Sequence, residues 1–237
     1  TASNNVAIGN SALGVNLTGA SNVAIGVSCL DANTSGASNV AMGHHALGAN
    51  TTASNNVAIG NASLQLNTTG ASNTAIGANS LDANTTGSSN TAVGQACLGA
   101  ATEASNNTAV GSETLDAATT GGDNTAIGKG ALSSLTTGTQ NNAVGVNAGV
   151  NLTTGGLNTA IGAFALGTCV DGANNVAVGH DALLSTTSSN NTAVGHECME
   201  SNSSGSGNAA LGFRALQKNT TASNNTAIGR LALNKNT

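Results

Sequence analysis

Short apolar triplets recur along the chain, and each ends at a glycine. The pattern is Asn, any residue, Ala, an aliphatic residue and Gly, followed by a small residue and Leu, as in Asn73, Ala75, Ile76, Gly77 and Leu81. We call the glycine the marker glycine and number slots from it. Asn is at −4, Ala at −2, the aliphatic at −1, the small residue at +3 and Leu at +4. The sequence is then polar until the next Asn.

The spacing of the marker glycines is nearly constant. Every step is 17 residues except one of 16, between the eleventh and twelfth of the series Gly9, Gly26, Gly43, Gly60, Gly77, Gly94, Gly111, Gly128, Gly145, Gly162, Gly179, Gly195, Gly212 and Gly229. A repeat that keeps phase over fourteen units indicates a solenoid, in which each unit is one coil stacked on its neighbours. Aligning Thr186 and Thr187 with the Thr pairs of other units predicts that the short step lacks the Asn at +7.

Each part of the repeat has its own local preference. The triplet is short and partly β-branched, which favours a strand of about three residues. The segment around the Ala-Leu pair predicts a second short strand, and the Asn-Thr-Thr-Gly stretch is typical of a turn. A helix is excluded because Gly, Asn, Thr and Ser are too abundant and the apolar spacing does not fit.

We therefore predict an all-β fold, a parallel β-solenoid (β-roll) of fourteen 17-residue coils. Equivalent residues would stack about 4.8 Å apart. Residues such as Asn73, Ala75, Ile76, Gly77 and Leu81 would then form continuous structural ladders. We interpret residues 1–237 as a single repeat rod that is a fragment of a longer fibre protein.

Composition rejects an ordinary globular domain and several function classes. Charged residues make up 6% of the chain, Pro, Trp and Tyr are lacking, and the two Phe are Phe164 and Phe213. The net charge of −5 argues against nucleic-acid binding. No apolar run reaches the roughly 18 residues that span a bilayer, so no membrane insertion is expected. With no nucleophile–base constellation, we expect no enzyme and no cofactor.

The repeat resembles a known family of surface fibres. Residues 73–77 and 39–43 are similar to the Asn-Ser-Val-Ala-Ile-Gly repeat of YadA-like head domains in trimeric autotransporter adhesins. The full 17-residue form, as in residues 124–140, is similar to repeats in phage tail fibres. This resemblance implies a left-handed parallel β-roll with three chains to a rod. The thin predicted core also favours a parallel homotrimer, since each coil has few apolar side chains to bury.

Four cysteines and two histidine–carboxylate pairs are the candidate chemistry. The four cysteines are Cys29, Cys97, Cys169 and Cys198, and three of them take the +3 slot. Because they lie in coils too far apart for disulfide bonds, we expect free thiols. Free thiols favour assembly in a reducing cytoplasm. His180-Asp181 and His196-Glu197 occupy matching slots in adjacent coils and are the weak candidates for a metal site. A solvated turn is the favoured interpretation, because the same slots elsewhere hold assorted polar residues.

Repeats that depart from the pattern and the uneven distribution of charged residues indicate where surface contacts would form. Ten acids lie in residues 1–201 with one Lys, whereas residues 202–237 hold four cations and no acid. The basic end and the rare aromatics give the possible surface contacts Phe164, Phe213, Arg214, Lys218, Arg230 and Lys235. A solvated surface is the simpler alternative for the cations.

These features favour a structural or adhesive fibre segment. The leading hypothesis is a phage tail-fibre shaft or tip, assembled in the host cytoplasm, that contributes to host attachment. Its expected partners are itself as a homotrimer, other fibre or baseplate proteins, and a host cell-surface receptor, including a glycan. The alternative is the head of a trimeric autotransporter adhesin on a bacterial surface. Ice binding is a third hypothesis, disfavoured because the −3 slot mixes Thr with Val, Asn142 and Ala209.

Overall fold

The computed structural model describes residues 2–236 and consists of two compact units, Thr1–Gly122 and Asp123–Thr237. Each unit holds seven three-residue strands and, in the described residues, no helix. The first unit contains β1 to β7, which are Val6–Ile8, Val23–Ile25, Val40–Met42, Val57–Ile59, Thr74–Ile76, Thr91–Val93 and Thr108–Val110. The second contains β8 to β14, which are Thr125–Ile127, Asn142–Val144, Thr159–Ile161, Val176–Val178, Thr192–Val194, Ala209–Leu211 and Thr226–Ile228.

Consecutive strands pair in parallel within each unit. Ala75 of β5 is in register with Ala58 of β4 on one side and Ala92 of β6 on the other. Because one strand follows the next after a single repeat, each repeat makes one turn of a parallel β-solenoid. The predicted fold class and the stacking of Ala75 on Ala92 are confirmed.

The core of a typical coil is thin and built from small side chains and one Leu. In β5 the −2 residue Ala75 is fully buried, and so is Leu81 at +4. The side chains at −3 and −1 point to the other face of the strand, as alternation along a strand requires. Ile76 accordingly is 38% exposed. The two predicted apolar ridges both exist, but only the leucine ridge is inside.

The predicted second strand is wrong, because the Ala-Leu segment is a turn. Residues at +2 and +4 adopt left-handed backbone conformations, as at Asn79 (φ 55°) and Leu81 (φ 50°). The segment still links the coils, since the Leu81 amide donates to the Cys97 carbonyl at 3.0 Å. Leu rarely adopts a left-handed conformation, so a Leu at +4 does not indicate a turn in the sequence.

The marker glycine is required by close contact between coils. At Gly60 the backbone φ is 136°, a conformation that side chains disfavour. A Cβ atom there would lie 2.5 Å from the carbonyl oxygen of Gly77 in the next coil. The same close contact recurs at other marker glycines, for example Gly26 and Gly162, so these slots require Gly.

Two buried asparagine slots satisfy the backbone of the turns. At −4, Asn73 Oδ1 accepts from the Asn90 amide at 2.9 Å, and Asn73 Nδ2 donates to the Gly87 carbonyl at 2.8 Å. The predicted −4 ladder therefore exists, with backbone amides as its main donors. A second ladder at +7 was missed: Asn67 Nδ2 donates to Asn50 Oδ1 at 3.1 Å. Its residues resemble ordinary turn residues in sequence.

The short step between Gly179 and Gly195 lacks a different residue from the one predicted. Thr186 is fully buried in the +7 slot. Thr187 takes the +8 slot, where its amide donates to the Ser203 carbonyl. The Ser188 carbonyl accepts from Asn175 Nδ2, as the +10 carbonyl does elsewhere. The missing residue is thus the one at +9, and a threonine replaces the expected asparagine in the core.

Candidate functional site

In each unit, the outer side of the strands carries no charged side chain. It consists of the −3 and −1 residues, which are Val, Thr, Ile, Met, Leu, Ala and Asn in all fourteen strands. We call it the aliphatic face. Exposed members in the first unit include Met42 and Ile76, and those in the second include Ile127 and Ile161. An exposed row of apolar side chains of this kind is typical of an interaction site.

A shallow apolar hollow lies on this face in the second unit. It forms where Ala209 replaces the larger −3 residues found in the neighbouring strands. Val194, Leu211 and Ile228 line it, together with Thr192 and Thr226. The exposed lining of the hollow is almost entirely apolar, so it would fit an apolar group of a partner better than a polar small substrate.

Four ring-bearing side chains form a second surface feature in the second unit. We call Phe164, His180, His196 and Phe213 the ring stripe. The His180 and His196 rings are stacked, with centroids 5.3 Å apart and planes 11° apart. Phe213 stacks on His196 at 5.7 Å, and Phe164 meets His180 edge-on at 6.3 Å. The stripe arises because coils bring the +1 and +2 slots into line.

Charged groups surround the ring stripe. Asp181 Oδ2 lies 2.9 Å from His180 Nδ1, and Glu197 Oε1 lies 3.3 Å from His196 Nδ1. The Arg214 guanidinium donates from Nε to Glu197 Oε2 at 2.6 Å. This hydrogen bond and the neighbouring positive charges lower the pKa of Glu197.

Two arginines cover the last ring of the stripe. The guanidinium carbons of Arg214 and Arg230 lie 4.9 and 5.6 Å from the Phe213 ring centroid. The structure therefore brings Phe164, Phe213, Arg214 and Arg230, all predicted as surface contacts, onto one feature with the two candidate metal ligands.

The remaining predicted contacts lie elsewhere. Lys218 and Lys235 occupy the +6 slot, where the Lys218 amide donates to the Asn234 carbonyl at 3.0 Å. Sequence reasoning treated these lysines and the arginines as one basic end. Lys218 lies in the same turn as Phe213 and Arg214, but five and four residues further along the chain than those two residues.

The four cysteines are buried and unpaired, as predicted. Cys169 fills the +7 core slot, while the other three fill the small slot at +3. Burial raises the pKa of Cys97 to about 12 and that of Cys169 and Cys198 to about 11. These thiols therefore act as small apolar core residues.

Within residues 2–236 no three His, Cys, Asp or Glu side chains are grouped to hold a metal ion. In the same stretch, no helix has the length and apolarity needed to cross a membrane. Comparison with protein-family models, with curated proteins and with solved structures finds no match to this chain.

Proposed function

We propose that this chain is a structural and adhesive fibre segment, and that it works as a phage tail-fibre shaft or tip that contributes to host attachment. The observation that carries the proposal is the combination of a regular solenoid with one uncharged outer face. The core is filled by stacked Ala, Leu and Asn side chains that recur from coil to coil. Such a coil supplies length and rigidity, since each repeat contacts only its neighbours.

The proposed partner for the aliphatic face is a second and third copy of the same chain. Its side chains lie in register from strand to strand, so parallel copies would present matching rows. No charge on the face opposes this packing. Packing exposed residues such as Ile76 and Ile127 against another copy would remove apolar surface from water and so stabilise coils whose own cores are thin.

The proposed receptor contact is the ring stripe with its arginines. It interrupts an otherwise uniform surface and combines exposed rings with Arg214, Arg230 and Glu197. Hydroxyl and carboxylate groups of a host surface glycan match these donors and acceptors. Regular coils would then act as spacers.

The oligomer is tested first by light scattering. Ile76→Glu places a carboxylate on the aliphatic face, whereas the matched control Thr86→Glu places one on an exposed turn of the same coil. We expect a trimer for the parent chain and for the control, and dissociation for Ile76→Glu. A parent chain that stays monomeric would contradict the homotrimer.

The fibre role is tested on the assembled virion. Deleting residues 70–86 removes one regular coil and should leave a shorter fibre that still attaches to host cells. Phe213→Ala should weaken attachment and leave the oligomer intact. Loss of attachment on deletion, with the oligomer retained, would show that regular coils themselves bind the receptor.

The adhesin head on a bacterial surface is the second candidate, supported by the same repeat. The full-length gene separates the two, because an outer-membrane anchor domain specifies an adhesin and a baseplate-attachment domain a phage fibre. Ice binding would use the aliphatic face, which a trimer would bury. Thermal hysteresis in solutions of the trimer would therefore contradict the assignment of that face to assembly.

A further inference from the structure

Strand β13 departs from its neighbours in the sizes of the two side chains that it places on the aliphatic face. In the other six strands of the second unit, the −3 slot holds Thr, Val or Asn and the −1 slot holds Ile or Val. In β13 these slots hold Ala209 and Leu211. Ala ends at the Cβ where Thr and Val branch, so the −3 position of β13 is recessed. Leu branches one carbon farther out than Val, so both of its methyl groups stand farther from the strand.

The recessed position is the apolar hollow of the second unit. Strand β13 pairs with β12 on one side and β14 on the other, and residues of all three strands line the hollow. Leu211 is 50% exposed, which is more than any other −1 residue of strands β2 to β13. One strand therefore has both an unfilled hollow over Ala209 and an apolar side chain that its own chain leaves half uncovered.

A closed ring of identical copies brings two such features together. In a ring of three, each copy presents one part of its surface to a different part of the next copy. The two parts of the aliphatic face are the column of −1 residues and the column of −3 residues. When parallel copies lie at the same height, the −1 residue of a strand faces the −3 residue of the same strand in the next copy. Leu211 then faces Ala209.

The regular coils do not define the height at which copies pair. A shift by one coil, about 4.8 Å, exchanges similar side chains along both columns, so their contacts change little. At β13 the same shift places Leu211 against Thr192 or Thr226 and leaves the hollow empty. An overpacked contact and an unfilled hollow both disfavour the shifted pairing.

We propose that the hollow over Ala209 receives Leu211 of a neighbouring copy, and that this contact fixes the register of the assembled chains. The inference rests on the proposed homotrimer and adds the residues that select its pairing. The occupant is a copy of this chain, because the same strand supplies an exposed side chain of the right size and polarity at the same height. No charged side chain of β13 opposes the contact.

Photo-crosslinking of the full chain tests the contact directly. Leu211 is the one leucine that the fourteen strands place on the aliphatic face. Photo-leucine, a leucine analogue that links to nearby atoms under light, therefore puts a single reactive group on that face. Chains that contain photo-leucine are refolded together with isotope-labelled ordinary chains, so that mass spectrometry recognises every link between copies. Once light scattering has established a trimer, we expect links from position 211 to Ala209 or Ala210 of the labelled chain.

A double-mutant cycle tests the fit of the two side chains. Ala209→Val fills the hollow and Leu211→Val shortens the side chain that enters it. Val occupies both slots in β11, so a coil accepts either change. We expect Ala209→Val to raise the dissociation constant of the trimer, measured by sedimentation equilibrium, by about tenfold or more. In a chain that already carries Leu211→Val, the same change should have less than about a threefold effect.

The matched control is Ile161→Val, which shortens an exposed −1 residue three coils away. Its effect should combine with that of Ala209→Val without coupling. A monomeric parent chain would overturn the homotrimer and this inference together. With a trimeric parent, the inference alone fails if position 211 gives no link between copies or links to Thr192 or Thr226 and not to Ala209. Equal effects of Ala209→Val with and without Leu211→Val would overturn it as well.

Discussion

Asn84 and Ala101 occupy the same +7 slot in consecutive coils, and their difference ends an amide ladder. Asn84 Nδ2 donates to Asn67 Oδ1 at 2.7 Å and to the Gly87 carbonyl at 3.0 Å. Ala101 has no donor to continue the series. Among the described residues Asn84 Oδ1 consequently is buried without a hydrogen-bond partner.

Removing a side-chain amide from inside this ladder should lower the free energy of unfolding more than removing the last amide. Asn84→Ala removes two hydrogen bonds and its own unpaired oxygen, but leaves Asn67 Oδ1 unpaired, so the number of unpaired oxygens stays at one. Asn67→Ala removes three hydrogen bonds and leaves both Asn50 Oδ1 and Asn84 Oδ1 unpaired.

A buried unpaired acceptor costs about 1–3 kcal/mol. We therefore expect chemical denaturation to show Asn67→Ala less stable than Asn84→Ala by about that amount. Equal free energies of unfolding for the two variants would mean that the ladder does not act as a chain of buried bonds.

Substituting a marker glycine should destabilise the fold far more than substituting a turn glycine of the preceding coil. Gly60→Ala forces a Cβ to 2.5 Å from the Gly77 carbonyl oxygen and strains the backbone. In Gly48→Ala the nearest atom is the His45 carbonyl oxygen at 3.4 Å, an ordinary contact. We expect Gly60→Ala to destabilise by more than about 2 kcal/mol and Gly48→Ala by under about 1 kcal/mol. Similar melting temperatures for the two would refute the close contact between coils.

The sequence predicts those parts of the structure whose interactions recur periodically along the chain. The strand register was predictable because Ala75 and its equivalents recur at one spacing. The turn at Leu81 was not, because its left-handed backbone is held by bonds to the next coil and not by residue preference. Likewise, Phe164 and Phe213 depart visibly from the repeat, but their alignment with His180 and His196 depends on which slots the turn brings into one row.

A pair of acidic residues should make stability depend on pH in the first unit. Burial raises the pKa of Asp116, and the charge of Glu113 adds to it; burial likewise raises the pKa of Asp82, with Asp116 contributing. A carboxyl with a raised folded-state pKa binds its proton more tightly in the folded chain. Stability is therefore greatest below the ordinary Asp pKa of about 3.9 and falls as pH rises through the raised value.

Asp116→Asn removes this pH dependence at one site. The variant should melt at a higher temperature than the parent chain at neutral pH, and the difference should vanish below the ordinary Asp pKa. Glu103→Gln, which neutralises an exposed carboxylate of the same unit, is the control and should show no such trend. A stabilisation of Asp116→Asn that persists at low pH would show that charge is not its cause.

The cysteines should be unreactive in the folded chain and fully reactive after unfolding. The thiolate is the reactive form, and a pKa of about 12 at Cys97 instead of the usual value of about 8.5 lowers its population more than a thousandfold at neutral pH. Burial also blocks access by a reagent. Titration with a disulfide reagent, without added reductant, should find almost no fast-reacting thiols in the native chain and four per chain in denaturant. Fewer than four after unfolding would reveal a disulfide between chains. Fast reaction of the native chain would mean that the coils open often enough to expose the small slot.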